Sequence, residues 1–145
     1  MPMPYRYLDD IATADAAFEA WGTTEKELFV SAADAVMNVM VENLDSIDRR
    51  EERTIRCIAE SRDMLLFHLL EEIIYFKDAE QLLLRVSDVL FETKAGRFTF
   101  TARVYGELID STRHELNVDV KAVTLYRFSL EQTGEGWKAT VVLDI

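Results

Sequence analysis

The stretch that decides the fold runs from residue 61 to 78: Ser-Arg-Asp-Met-Leu-Leu-Phe-His-Leu-Leu-Glu-Glu-Ile-Ile-Tyr-Phe-Lys-Asp. Leu65, Leu66, Leu69, Leu70, Ile73 and Ile74 recur at helical spacing, which predicts a helix opening near Ser61 and Asp63. An apolar face that wide belongs to a helix lying on a sheet or on another helix. Beyond Asp78 the period changes. Residues 82–92, 97–107, 118–130 and 137–144 are β-branched or aromatic runs, predicting strands. Lys94-Ala95-Gly96 and Thr133-Gly134-Glu135-Gly136 supply hairpin turns between them, and the polar residues 110–117 read as an exposed loop.

Upstream of this stretch, Thr24 with Glu27 three residues on forms a capping box, because hydroxyl and carboxylate can each satisfy an orphan amide. A helix is predicted from there to about Met40, with Leu28, Ala32, Ala35, Val36 and Val39 at helical spacing. Residues 16–21 read as a strand, with Phe18 and Ala20 on one face and Glu19 and Trp21 on the other. Tyr5 to Leu8 is a short aromatic run, and residues 9–15 read as a loop or strand break. Residues 43–51 form a charged connector, and residues 54–59 a strand without a clean apolar face. Together these elements predict an α+β class: two helices packed on a mostly antiparallel sheet, in a single compact domain spanning residues 1–145.

Composition narrows the chemistry. The chain is 49% apolar, enough for a packed core, and 16 Lys and Arg against 27 Asp and Glu leave a net charge of −11. Gripping a nucleic-acid backbone normally needs a basic face, so the expected partners are cations or basic protein surfaces, with no DNA among them. A single cysteine, Cys57, excludes an internal disulfide framework, and two histidines, His68 and His114, exclude a His-rich metal site. Cys57 reads as a small core residue and His68 as a flank of the apolar stripe. No run approaches the length of a membrane span, and the start lacks a signal peptide's apolar core, so a cytoplasmic protein without membrane contact is expected. No Gly-rich phosphate loop is present. Arg49, Arg50, Arg53 and Arg56 alternate with Asp48, Glu51 and Glu52, which reads as a solvated mixed-charge face.

Two carboxylates and one lysine stand out. Asp15 lies among small residues just before a buried strand, and Asp144 directly follows the apolar Val141-Val142-Leu143. Beside a chain end, such oxygens suit calcium or magnesium rather than zinc. On spacing alone the plainer reading stands ahead, with Asp15 capping a turn and Asp144 fraying into water. Lys121, inside an apolar β run, either points outward or pairs with a buried carboxylate; both readings are open.

A resemblance changes these weights. Thr13-Ala14-Asp15, Phe18-Glu19-Ala20-Trp21-Gly22, Gly106-Glu107, Asp110, His114, Val120-Lys121-Ala122-Val123-Thr124 and Leu143-Asp144-Ile145, in this order along essentially the whole chain, resemble archease. Where that family carries a carboxylate–His pair before Thr-Ala-Asp, this chain has Asp10-Ile11-Ala12. Where the family often has Tyr-His after Val-Lys-Ala-Val-Thr, it has Leu125-Tyr126.

The resemblance implies a non-enzymatic activator of the RNA-splicing ligase. That enzyme joins a 3′-phosphate or 2′,3′-cyclic phosphate end to a 5′-hydroxyl in tRNA splicing and repair. On this reading the ligase carries the nucleotide and the covalent guanylylated histidine, and the activator promotes guanylylation and turnover, meeting tRNA only through the ligase. Asp15 and Asp144 are then metal ligands with an oxygen of Ile145, calcium being the expected ion and manganese or magnesium the alternatives. Lys121, Asp119 and His114 fall near that site. A general adaptor or chaperone-like module for RNA-modifying enzymes ranks second. A stand-alone metal-assisted hydrolase built on Asp15, Asp144 and Lys121 ranks third.

Overall fold

The computed structural model describes residues 4–8 and 15–145. In chain order the elements are β1 (Tyr5–Leu8), β2 (Asp15–Gly22), α1 (Glu25–Met40), a 3₁₀ turn (Leu44–Ser46), β3 (Glu51–Ala59) and α2 (Arg62–Glu80). β4 (Leu82–Lys94), β5 (Arg97–Leu108), β6 (Ala122–Thr133) and β7 (Gly136–Asp144) follow. The α+β class and its two helices are those expected. The antiparallel strands are divided between two sheets, ordered β1-β2-β7-β6 and β3-β5-β4.

The division follows from pairings distant in sequence. β2 lies antiparallel beside β7, while β3 lies beside β5, so each sheet joins an early strand to a late hairpin. α1 packs against β2, β4 and β7, and α2 against β3, β4, β5 and β6, so both helices touch both sheets. One continuous core results. Phe18, Val141 and Leu143 enter it from the first sheet, Phe100 and Ala102 from the second, and Leu28, Val36, Leu65, Leu69 and Ile73 from the helices.

Local chemistry explains the boundaries. The Thr24 hydroxyl accepts the Glu27 N–H at 3.1 Å, as expected of the box, while the Glu27 carboxylate turns back to the Thr23 N–H at 2.9 Å. α2 stops at Gln81, whose φ of 58° is left-handed, and its six expected stripe residues are all buried. The β4–β5 turn holds Ala95 and Gly96 at φ 53° and 75°, the positive pair that matches the twist of a tight hairpin. Gly106 lies so near β4 that a Cβ there would come within 1.7 Å of the Leu83 carbonyl oxygen.

Several boundaries differ from the sequence reading. Asp15 is the first residue of β2 rather than part of a loop, because it extends the same cross-strand pairing as Phe18 and Ala20. Residues 9–14, read as a loop or break and including the Thr13-Ala14 of the resemblance, lie outside the described residues. β6 opens at Ala122, and residues 118–121 have no regular structure, although their apolar content suggested a strand. In β3 an apolar face does exist. Ile55 and Ala59 are buried with Cys57 half-buried, while Ile58 is 62% exposed on the opposite face. Burial pushes the Cys57 thiol up to about 11, in keeping with a packed and unreactive cysteine.

Candidate functional site

Strand alternation sorts β2 and β7 into two faces. Phe18, Ala20, Val141 and Leu143 face the helices, so Asp15, Glu19, Lys138 and Asp144 fall on the outer face of the four-stranded sheet. Register then brings the two singled-out carboxylates together, since Asp15 and Asp144 are direct partners across the β2–β7 pair. Residues so opposed carry their Cβ atoms roughly 4.5–5.5 Å apart, and like charges in that position repel. Among the described residues neither carboxylate has an ion-pair or side-chain hydrogen-bond partner.

Glu19 shows what the same strand does with a structural carboxylate. Four residues along β2, on the same face as Asp15, it lies between Arg6 of β1 at 2.6 Å and Lys138 of β7 at 2.9 Å. Hydrogen bonds from Lys138 and then Arg6 hold its carboxyl below the usual range. Within one sheet face, one acidic group is bracketed by cations and two others face each other.

The third strand completes the corner. Ala122 of β6 lies opposite Asp144 on the side away from Asp15, and the Lys121 N–H donates to the Asp144 carbonyl oxygen at 2.8 Å. The Lys121 side chain is exposed and, among the described residues, unpaired, so the outward alternative holds. Ile145 follows Asp144 and is half-buried. Among the described residues no group of three or more His, Cys, Asp or Glu side chains is gathered as a metal cage.

Asp119 and His114 belong to other clusters. Asp119 accepts from the Lys77 ammonium at 2.6 Å; that ammonium also donates to the Val120 carbonyl at 2.8 Å and to Asp78. Burial draws the Lys77 pKa down, but bonds to Asp119 and Asp78 outweigh it and leave the group above its ordinary value.

His114 is 2% exposed, although its loop read as an exposed one. Its Nδ1 accepts the Asp110 N–H at 2.9 Å, so Nε2 carries the proton and donates to Glu107 Oε1 at 2.8 Å. Glu107, itself 3% exposed, also accepts from the Asp48 N–H at 2.9 Å and pairs with Arg113 and with Arg50 at 3.3 Å. Burial alone would raise this carboxyl, but the Asp48 amide, Arg113 and His114 together hold it at about 2. The histidine braces the 109–117 loop on β5, and none of its hydrogen bonds reaches Asp15 or Asp144.

Sequence reasoning passed over Lys77 as a partner of Asp119. The signal was there: Lys77 continues the Leu66, Leu70, Ile73 series of α2 at helical spacing, and a lysine in an apolar stripe needs a carboxylate or carbonyl.

The comparisons with known proteins bear on the whole chain. The archease protein family matches residues 5–145. Protein archease of Pyrococcus furiosus is 34% identical over 134 residues, covering 92% of this chain and 94% of that one. Protein archease of Methanosarcina barkeri is 33% identical over 144 residues, covering 97% and 95%. In shape the chain is similar to the solution structure of Methanobacterium thermoautotrophicum protein 1598. The TM-score is 0.86 at 31% identity, with 99% of this chain and 100% of that one covered. A crystal structure from Thermotoga maritima, described as an archease and possible chaperone, shares the fold at a TM-score of 0.59 and 20% identity, covering 95% and 97%.

Proposed function

The chain belongs to the archease family, and from that premise we propose that it is a non-enzymatic activator of the RNA-splicing ligase, acting through a hard cation held at Asp15, Asp144 and an oxygen of Ile145. The observation that carries this reading is the register of β2 and β7, which sets two carboxylates face to face at a sheet corner, neither of them ion-paired among the described residues. Such a pair costs stability unless something positive sits on it.

The donor set fits a hard ion. Two carboxylates and a main-chain oxygen are the ligand types calcium, magnesium and manganese take, whereas zinc prefers nitrogen and sulfur. Calcium is the expected ion, and it takes about six to eight oxygens, so water or a partner completes the shell. When bound, it supplies positive charge for developing or resident phosphate oxygens. The chain itself orients the two carboxylates by cross-strand register. Lys121, one residue from β6 and outward-facing, presents a second cation at the same corner.

The net charge of −11 supports docking on a basic ligase cleft by salt-sensitive association rather than on free tRNA. No helix among the described residues is long and apolar enough to cross a membrane, and the proposed setting is the cytoplasm.

The test is multiple-turnover ligation of a cleaved tRNA by the cognate ligase, with and without this protein and its Asp15→Ala and Asp144→Ala variants. Stimulation by the wild type and none by the folded variants is the expected result. Stimulation by all three removes the carboxylate site and keeps the activator. No stimulation by any moves the adaptor reading ahead.

A further inference from the structure

Lys77 is buried away from solvent, yet its ammonium bonds the Val120 carbonyl, one residue before Lys121 at the candidate corner. We propose that Lys77 is a positioning residue, a tether from the last turn of α2 that sets where Lys121 lies, just before β6 and beside Asp144. The inference rests on the reading of that corner as the functional site.

Residues 118–121 carry no regular structure, so no ladder of strand hydrogen bonds holds them. What holds them is a short series of contacts. The Asn117 N–H donates to the Met40 carbonyl at 2.8 Å at one end, and the Lys121 N–H to the Asp144 carbonyl at 2.8 Å at the other. Between these points, the Lys77 ammonium grips the Asp119 carboxylate at 2.6 Å and the Val120 carbonyl at 2.8 Å. Val120 is fully buried, so its carbonyl has no ready substitute in water.

The geometry also separates anchor from payload. Lys77 is 6% exposed, whereas Asp119 and Lys121 lie at the surface. A lysine at the carboxy end of a helix is further favoured by the helix dipole and bonds the last turn to the segment it must hold. Asp78, on the same turn, accepts a third hydrogen bond from the ammonium. Lys77 therefore acts on Lys121 and Asp144 through Asp119 and Val120, and touches neither.

The test compares wild type with Lys77→Met, Lys77→Arg and Asp119→Asn in the full chain. It reads hydrogen exchange at the Lys121 amide, calcium affinity by titration, and melting temperature. In Lys77→Met, Lys121 exchange is expected to quicken by about tenfold or more while core amides of α1 and β5 stay protected. Calcium affinity is expected to fall by roughly tenfold, the usual size of an outer-partner loss. Lys77→Arg should recover part of both, and Asp119→Asn, a surface change, should show the same pattern more weakly if Lys77→Met does not fold. Wild-type protection of Lys121 in folded Lys77→Met and Asp119→Asn would overturn the tether. A wild type that binds no calcium would remove the cation reading of the corner, while exchange at Lys121 would still decide the tether.

Discussion

Two acidic centres of this molecule are built in opposite ways. Glu107, at the end of β5, is buried and receives the Asp48 amide, Arg50, Arg113 and His114. Asp15 and Asp144, at the corner of the other sheet, are set opposite each other by register, and among the described residues neither side chain is paired with a cation. The first centre is complete, and its carboxylate locks a loop onto a strand. The second is incomplete, and an incomplete pair of like charges is what a cation or a basic partner would stabilise. A cluster of acidic residues says little by itself. Whether its charges are already balanced within the fold separates scaffold from site.

Removing the completed centre should have the largest effect. Glu107→Ala leaves buried His114 and the Asp48 amide without their acceptor and Arg113 without its main partner, and at about 1–3 kcal/mol for each buried donor left unpaired should give the largest loss in chemical denaturation. The pH dependence should follow the same group. Its folded pKa of about 2 lies below the ordinary 4.5, so its stabilisation is full above that ordinary value and is lost as pH falls from 4.5 toward 2. A stability curve flat through this window, measured on wild type against Glu107→Gln, would contradict the assignment.

The incomplete centre should respond to added ion instead. With calcium at a hundredfold excess over its dissociation constant, wild type should gain about 2.7 kcal/mol, and Asp144→Asn should gain nothing measurable. Without divalent ions the sign reverses: Asp15→Asn relieves the repulsion and should be as stable as wild type or more so by up to about 1 kcal/mol. Loss of stability in ion-free Asp15→Asn would mean that the pair is already balanced. The smallest effect belongs to Glu19, on the same face. Glu19→Gln breaks two cross-strand ion pairs and should cost about 1 kcal/mol or less, with calcium affinity unchanged.

The helices were legible because their information is local. The Thr24–Glu27 box and the spacing of Leu65, Leu66, Leu69, Leu70, Ile73 and Ile74 each lie within one or two turns of chain. The Lys94–Gly96 turn was legible for the same reason, since positive φ at a hairpin is a property of adjacent residues. The burial of His114 was not legible. Its loop is polar, and the Glu107 carboxylate that draws it inward is itself held by the Asp48 amide, 59 residues back along the chain. The opening of β6 differs for a related reason: Val118 and Val120 look like strand residues, but the Val120 carbonyl accepts from Lys77 of α2, and it is the Lys121 N–H that first reaches β7.

The class of the fold, the two helices and the late hairpins are written in residue patterns, and the family and the interest of Asp15, Asp144 and Lys121 in a resemblance along the chain. The two sheets, the meeting of Asp15 and Asp144 at one register position, and the interior partners of Glu107 and Lys77 arise from long-range packing. Helical and turn preferences are set by residues a few positions apart, within reach of a pattern. A strand's partner and register are set by packing and hydrogen bonds between segments separated by most of the chain, and in Asp15 and Asp144 that separation spans nearly its whole length.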